Sequence, residues 1–258
     1  MIHKSLYPSG HTCYTDIMHG TNLISGGSAK IKHSNAAQAE WWNIVMYLAP
    51  AWASGHNVCP HSTPQCAAEC LDTAGRAAFD AKIPAARLRR TKFFYACKLC
   101  FLVRLEVELW REYRKALRLG RRLAIRLNGT SDLLWEHIAR RLIVEVFGDC
   151  QWYDYTKYPY RLRPTHKLPT NYDLTYSRSE KTTPEQIAES LDNGRNVAVV
   201  FGRYKRTTNA IPAVWSGYGV INGDVHDLRF LEAGQGSIVG LNAKGRAIGA
   251  APGFVVYA

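Results

Sequence analysis

No apolar run in the chain approaches the roughly 18 residues that a membrane-spanning helix needs. The longest candidate stretch, 93–119, is interrupted by Arg104, Glu106, Glu108, Arg111 and Glu112, so a membrane partner is excluded from the reading. Acidic residues are also scarce. Against 33 Lys and Arg there are 21 Asp and Glu, a formal charge of +12, which favours anionic partners: nucleic acid, an acidic protein or a phosphorylated small molecule. Yet no nucleic-acid motif, aromatic-interleaved basic strand or zinc-finger spacing accompanies that charge. The basic runs 87–92 and 111–122 therefore read as solvated helix faces. Internal repeats and low-complexity segments are lacking. No secretory leader is found, and seven cysteines are an odd number for a disulfide framework. The expectation is largely unpaired thiols in a reducing compartment, the cytoplasm.

What the chain does have is three cysteines within twelve residues, Cys59-Pro-His-Ser-Thr-Pro-Gln-Cys66-Ala-Ala-Glu-Cys70. Convergent thiolates select soft or borderline metals, chiefly iron–sulfur clusters and zinc, and three of them leave one coordination position open. Buried cysteines acting as small core hydrophobes are the bland alternative, which a loop bearing Pro and His fits poorly. A Cys3His zinc site completed by His56 or His61 is the serious one. Cys97 and Cys100 form a C-x-x-C at helical spacing on an apolar face and read as core, with a role as fourth ligand as the alternative. Cys13 and Cys150 are isolated and read as structural.

At 258 residues and 47% hydrophobic content, the chain can bury a full core of barrel size. Residues 1–40, rich in Gly, Ser, His and Asn, read as an irregular N-terminal arm. Residues 41–258 read as one domain, with the cysteine loop at 55–76. Trp41–Leu48 is a short apolar run suited to a buried strand or short helix. An Ala-rich segment to Phe79 reads as helix, Pro84 as its breaker, and 87–119 as one long amphipathic helix ending at Gly120. Short β-prone runs follow at 123–127, 151–155, 172–176, 196–201, 218–221 and 237–241. Helical spacing lies between several of them, at 131–146 and at 183–193, where Thr183-Pro-Glu-Gln is a capping signature. Alternating strands and helices predict a largely parallel α/β sheet, a partial or complete (β/α) barrel.

Polar residues recur after each strand: Asn128, Thr130, Ser131 and Asp132; Thr156 and Lys157; Ser177, Arg178, Ser179 and Glu180; Arg203 and Lys205; Asn222, Asp224 and Asp227; Asn242 and Lys244. In a barrel these positions gather at one rim, facing the thiolate loop. Candidate pocket residues are Asn128, Ser131, Asp132, Lys157, Ser177, Arg178, Asp224, Asp227 and Lys244. Arg126 alternates within a strand and points inward or outward.

Several of these segments occur together in order. They are Cys59-Pro-His-Ser-Thr-Pro-Gln-Cys66 through Cys70-Leu, Thr-Ala-Gly-Arg76, Arg-Leu-Asn-Gly-Thr-Ser-Asp132 with Trp135-Glu, Tyr-Asp-Tyr-Thr-Lys157, Leu-Thr-Tyr-Ser-Arg-Ser-Glu180, Gly-Asp-Val-His-Asp-Leu-Arg-Phe230 and Gly-Leu-Asn-Ala-Lys244. Over residues 41–258 the series resembles the bacteriophage "gene product 88" family. The resemblance implies a phage origin, action in the cytoplasm of the infected host, and a distant relation to radical S-adenosylmethionine enzymes, which carry a three-cysteine loop after the first barrel strand. It implies a [4Fe–4S] cluster on Cys59, Cys66 and Cys70, with S-adenosylmethionine as a further cofactor for radical chemistry on a small-molecule substrate. Here six and three residues separate the cysteines, where that superfamily has three and two, and no Gly-Gly-Glu element follows the second strand. The competing class is a non-catalytic binder, with structural iron–sulfur or zinc, that captures a host protein or nucleic acid through its basic surface.

Overall fold

Each short β-prone run becomes a strand, because alternate residues along it find an apolar layer on one side. The computed structural model describes residues 21–25, 29–203, 211–232 and 236–257; Cys13 and Lys205 lie outside them. In chain order the elements are β1 (Ile24–Ser25), α1 (Ala29–Ala37), β2 (Trp41–Met46), α2 (Pro64–Ala68), α3 (Lys82–Ala96), α4 (Lys98–Arg118), β3 (Arg122–Arg126), α5 (Trp135–Ile138), β4 (Gln151–Thr156), β5 (Tyr172–Ser177), α6 (Pro184–Asp192), β6 (Val197–Phe201), β7 (Val214–Trp215), β8 (Tyr218–Asn222), β9 (Ile238–Asn242) and β10 (Val255–Val256).

The strands form one ten-stranded sheet in the order β1-β2-β3-β4-β5-β6-β9-β8-β7, with β10 beside β6. Pairing is parallel from β2 through β6 and on through β9 to β8. It is antiparallel only at the edges, β1 on β2 and β7 on β8. The sheet is open. A complete barrel is not formed, because each edge is finished by a two-residue antiparallel strand that offers no parallel partner to the other.

Side-chain alternation separates two layers. Ile44, Met46, Leu123, Ile125, Trp152 and Leu174 pack with Phe93, Phe94, Phe101, Leu105 and Leu109 of the helices. The intervening positions Trp41, Ala124 and Tyr153 face the other way and pack against Leu228 and Phe230. The segment 223–232 after β8 thus covers part of the second face.

Several local expectations change. The supposed N-terminal arm contains β1 and α1; β1 is held because the buried Glu108 carboxylate of α4 accepts the Leu23 and Ile24 amides at 2.8 and 3.0 Å. The long helix is two: at Cys97 the backbone turns to φ −151°, ψ 92°. Pro84 does not break a helix but sits in the first turn of α3, where a missing N–H costs nothing. The Ala-rich segment before it forms two 3-10 turns, Leu71–Thr73 and Gly75–Ala78. The 131–146 stretch gives only α5 and a π-turn at Leu142–Val146. The capping box at Thr183 forms as its sequence dictates. Arg87 and Arg90 are not on a solvated face: both are buried, and Arg90 donates to the Asn22 and Tyr47 carbonyls. On α4, Lys115 lies over the Trp42 ring.

Candidate functional site

All of the strands from β2 to β9 that run parallel end on the same side, and their ends or following loops line one cavity of about 220 Å³. Its wall contains Cys59, Cys66 and Cys70. Of the pocket residues expected from sequence, Asn128, Ser131, Asp132, Lys157, Ser177, Asp224, Asp227 and Lys244 line it. Arg178 does not. Its guanidinium turns to the Gly253 and Phe254 carbonyls and anchors the chain beside β10. Arg126 points inward, into the cavity wall.

The cysteine loop is placed by hydrogen bonds from several strands. Asp132 donates its amide to the Val58 carbonyl at 2.8 Å. Its carboxylate accepts the Lys157 amide at 2.8 Å and the buried Arg161 guanidinium at 3.0 Å. Thr63 caps α2, accepting the Cys66 amide, and its own hydroxyl is held by Glu180. The Gln65 carboxamide accepts the Phe254 amide at 2.6 Å, so α2 is clamped between the β5 loop and the chain leading into β10. Gly129 permits the approach of the β3 loop to β2: a Cβ there would meet the Met46 carbonyl oxygen at 2.5 Å.

Many polar residues of the wall are therefore committed to building it. The Asn128 carboxamide oxygen accepts from Ser131, from the Leu133 amide and from the Trp135 indole. Lys157 donates to the Ser177 carbonyl and hydroxyl and to the Arg178 carbonyl, which leaves its charge beside Cys66. Asp224 accepts from Lys244 and from the Asn242 amide and side chain, and against burial these hold its carboxyl below the usual range. At the floor, Arg126 donates to Asp227 at 2.7 Å and lies over the Tyr155 ring. Burial alone would lower the Arg126 pKa, and Asp227 with its tyrosine neighbours holds it up instead.

Two residues that the sequence reading passed over stand out. Glu69 Oε2 and the Tyr155 hydroxyl are buried atoms without a hydrogen-bond partner, and both residues line the cavity. Glu69 was legible in principle, lying inside Cys66-Ala-Ala-Glu-Cys70. Tyr155 follows from β4 parity, two residues after Tyr153 and two before Lys157.

Burial favours the protonated form of all three thiols. Burial pushes Cys59 up to about 12, although the Ala51 amide donates to its sulfur. Burial likewise pushes Cys70 up to about 11, and raises Cys66 against the Lys157 charge. A bound cation supplies the charge that lost hydration denies a thiolate. No histidine and no fourth cysteine lines the cavity among the described residues. His56 stacks on Tyr95 and His61 on Tyr158. Cys97 and Cys100 lie apart from the cavity, their sulfurs at bonding distance from one another, so this pair is not free, whereas Cys59, Cys66, Cys70 and Cys150 are. Cys150 is free and buried, in keeping with a structural role.

The other candidate ligand group, Glu136, His137 and His166, has ligand atoms within 4.8 Å of one another. Its carboxylate is already engaged by Arg161 at 2.6 and 2.8 Å. No helix among the described residues is long and apolar enough to cross a membrane. In comparisons with known proteins, the family described as Gene product 88 matches residues 22–256. No curated protein and no solved structure matches the chain.

Proposed function

The chain belongs to the phage gene product 88 family, and from that premise we propose that it is an iron–sulfur protein of radical-S-adenosylmethionine-like, partial-barrel architecture. Cys59, Cys66 and Cys70 would hold a [4Fe–4S] cluster. The observation that carries this reading is that, among the described residues, three thiols and no other cysteine or histidine share one cavity at the strand ends.

Such a cluster, when bound, supplies the electron for reductive cleavage of S-adenosylmethionine. The residues of the chain do the rest. Lys157 sets a positive charge beside Cys66 and pins the β5 loop. The Asp224–Lys244 pair offers both signs of charge at the mouth, while the Tyr155 hydroxyl and Glu69 Oε2 offer an uncommitted donor and acceptor within. Leu241, Ala247 and Phe254 close the wall with apolar surface and exclude water.

The test is anaerobic purification followed by addition of reductant and S-adenosylmethionine. Brown protein with iron and acid-labile sulfide, and release of 5′-deoxyadenosine and methionine, is the expected result. Colourless protein with stoichiometric zinc overturns the cluster. An intact cluster without 5′-deoxyadenosine removes the radical chemistry and leaves the iron–sulfur protein.

A further inference from the structure

The break between α3 and α4 has a chemical content of its own. Phe93 and Phe94 before the break and Phe101, Leu105 and Leu109 after it all pack into the same core, so packing gives no reason for the helix to stop between them. It stops at Cys97, whose extended backbone makes it the N-cap of the 21-residue α4. The Cys97 sulfur accepts the Cys100 amide at 3.2 Å and lies at bonding distance from the Cys100 sulfur, with the Cα atoms 5.3 Å apart. Exposure is asymmetric: Cys97 is half-buried and Cys100 only 5% exposed. Leu99, between them, is exposed and apolar.

We propose that Cys97 and Cys100 form a second reactive centre, a thiol–disulfide exchange site that trades electrons with an external dithiol. Each feature serves that chemistry. The positive end of a long helix and the Cys100 N–H stabilise a thiolate at Cys97. Partial exposure admits a nucleophile at Cys97 while burial protects Cys100. In reduction, a thiolate of the external dithiol attacks Cys97 Sγ; a new S–S bond forms there, the Cys97–Cys100 bond breaks, and Cys100 leaves as thiolate and takes up a proton. The second thiolate of the dithiol then attacks its own partner's sulfur in the mixed disulfide. Cys97 departs as thiolate, and the external dithiol becomes a disulfide. Two electrons have moved to the protein, and the reverse sequence oxidises a dithiol.

The centre is independent of what the cavity holds, and its test is made site-resolved for that reason. The full-length protein is treated with dithiothreitol, pulsed with iodoacetamide across a pH series, and mapped by peptide mass spectrometry, with circular dichroism recorded in parallel. The expected result is reduction with the fold retained, alkylation of Cys97 at least about tenfold faster than Cys100, and a midpoint for Cys97 below that of an ordinary thiol. In addition, Cys100→Ser is expected to trap a mixed disulfide at Cys97 when offered an oxidised dithiol such as a thioredoxin-type protein. A bond that resists dithiothreitol in the folded protein, unfolding upon reduction, or equal labelling of the two sulfurs would mark a structural staple and overturn the proposal.

Discussion

The Glu180 carboxylate accepts the Thr63 hydroxyl at 2.6 Å, joining two residues 117 apart in sequence. Because that same hydroxyl accepts the Cys66 amide, a side chain after β5 orients the cap of the helix that carries a candidate ligand. Despite burial, the Thr63 hydroxyl and backbone amides hold the Glu180 carboxyl below the usual range. Removing it should leave the cap misaligned and loosen the loop. Glu180→Ala is expected to cost about 1–3 kcal/mol and to lower metal content per chain, with Glu180→Gln intermediate. Thermal melts and elemental analysis check both, and full metal in Glu180→Ala would show that the clamp is dispensable.

Gly129 and Gly120 should respond differently to alanine. A Cβ at Gly129 meets the Met46 carbonyl oxygen and the Tyr47 ring, each at 2.5 Å, and the carbonyl cannot retreat without moving β2. A loss of about 1–3 kcal/mol follows, together with disturbance of the adjoining cysteine loop. At Gly120, with φ +64° and open space around it, the cost is conformational only, about 1 kcal/mol. Denaturant melts of the two variants separate the steric from the conformational penalty.

Asp154 gives the fold a pH dependence. Burial pushes its carboxyl up to about 7, outweighing Arg126, the Tyr172 hydroxyl and the Asn128 amide, all of which favour the charged form. Above pH 4 the unfolded chain releases this proton while the folded chain keeps it, so the contribution to stability falls as pH rises from about 4 through 7 and then levels. Asp154→Asn should flatten that slope. Melts at half-unit intervals from pH 4.5 to 8 check it: an unchanged difference between variant and parent would place the dependence elsewhere.

The Arg126–Asp227 pair under the cavity is buried at both ends. Asp227→Ala leaves the guanidinium only the more distant Asp154 carboxylate at 4.0 Å and is expected to cost about 3–5 kcal/mol, whereas Arg126→Met with Asp227→Leu should cost much less. Urea melts of the three proteins check the order, which would reverse if the pair were a net source of stability.

The strands were legible because each is a β-prone run bounded by turn residues, and the rim because polar residues recur after every one of them. The capping box at Thr183 was legible for the same local reason. What escaped was long-range. Phe93 to Leu109 keep helical periodicity straight through Cys97, so no pattern marks the break. Arg90 looks solvated until the Asn22 and Tyr47 carbonyls are known to face it, and Arg87 until the Tyr47 ring is known to lie beneath it. The strands β1 and β10 have two residues each, too few for any alternation. Arg178 stands among rim residues by position but serves the chain beside β10, a partner 75 residues away.

β6 borders β5 only at its start, through Val197 and Ala198, and β10 takes up the same flank at Val200 and Phe201. The gap above β5 is thus filled by a strand whose preceding residue, Phe254, bonds Gln65, 189 positions earlier. Contacts spanning so much chain must repay a large loop-closure entropy and form late. The sheet centre from β2 to β5 can assemble first, while the thiol loop still lies open to solvent. The proposed cluster would then enter most easily before β10 seats, and the seated strand would act as a latch on it.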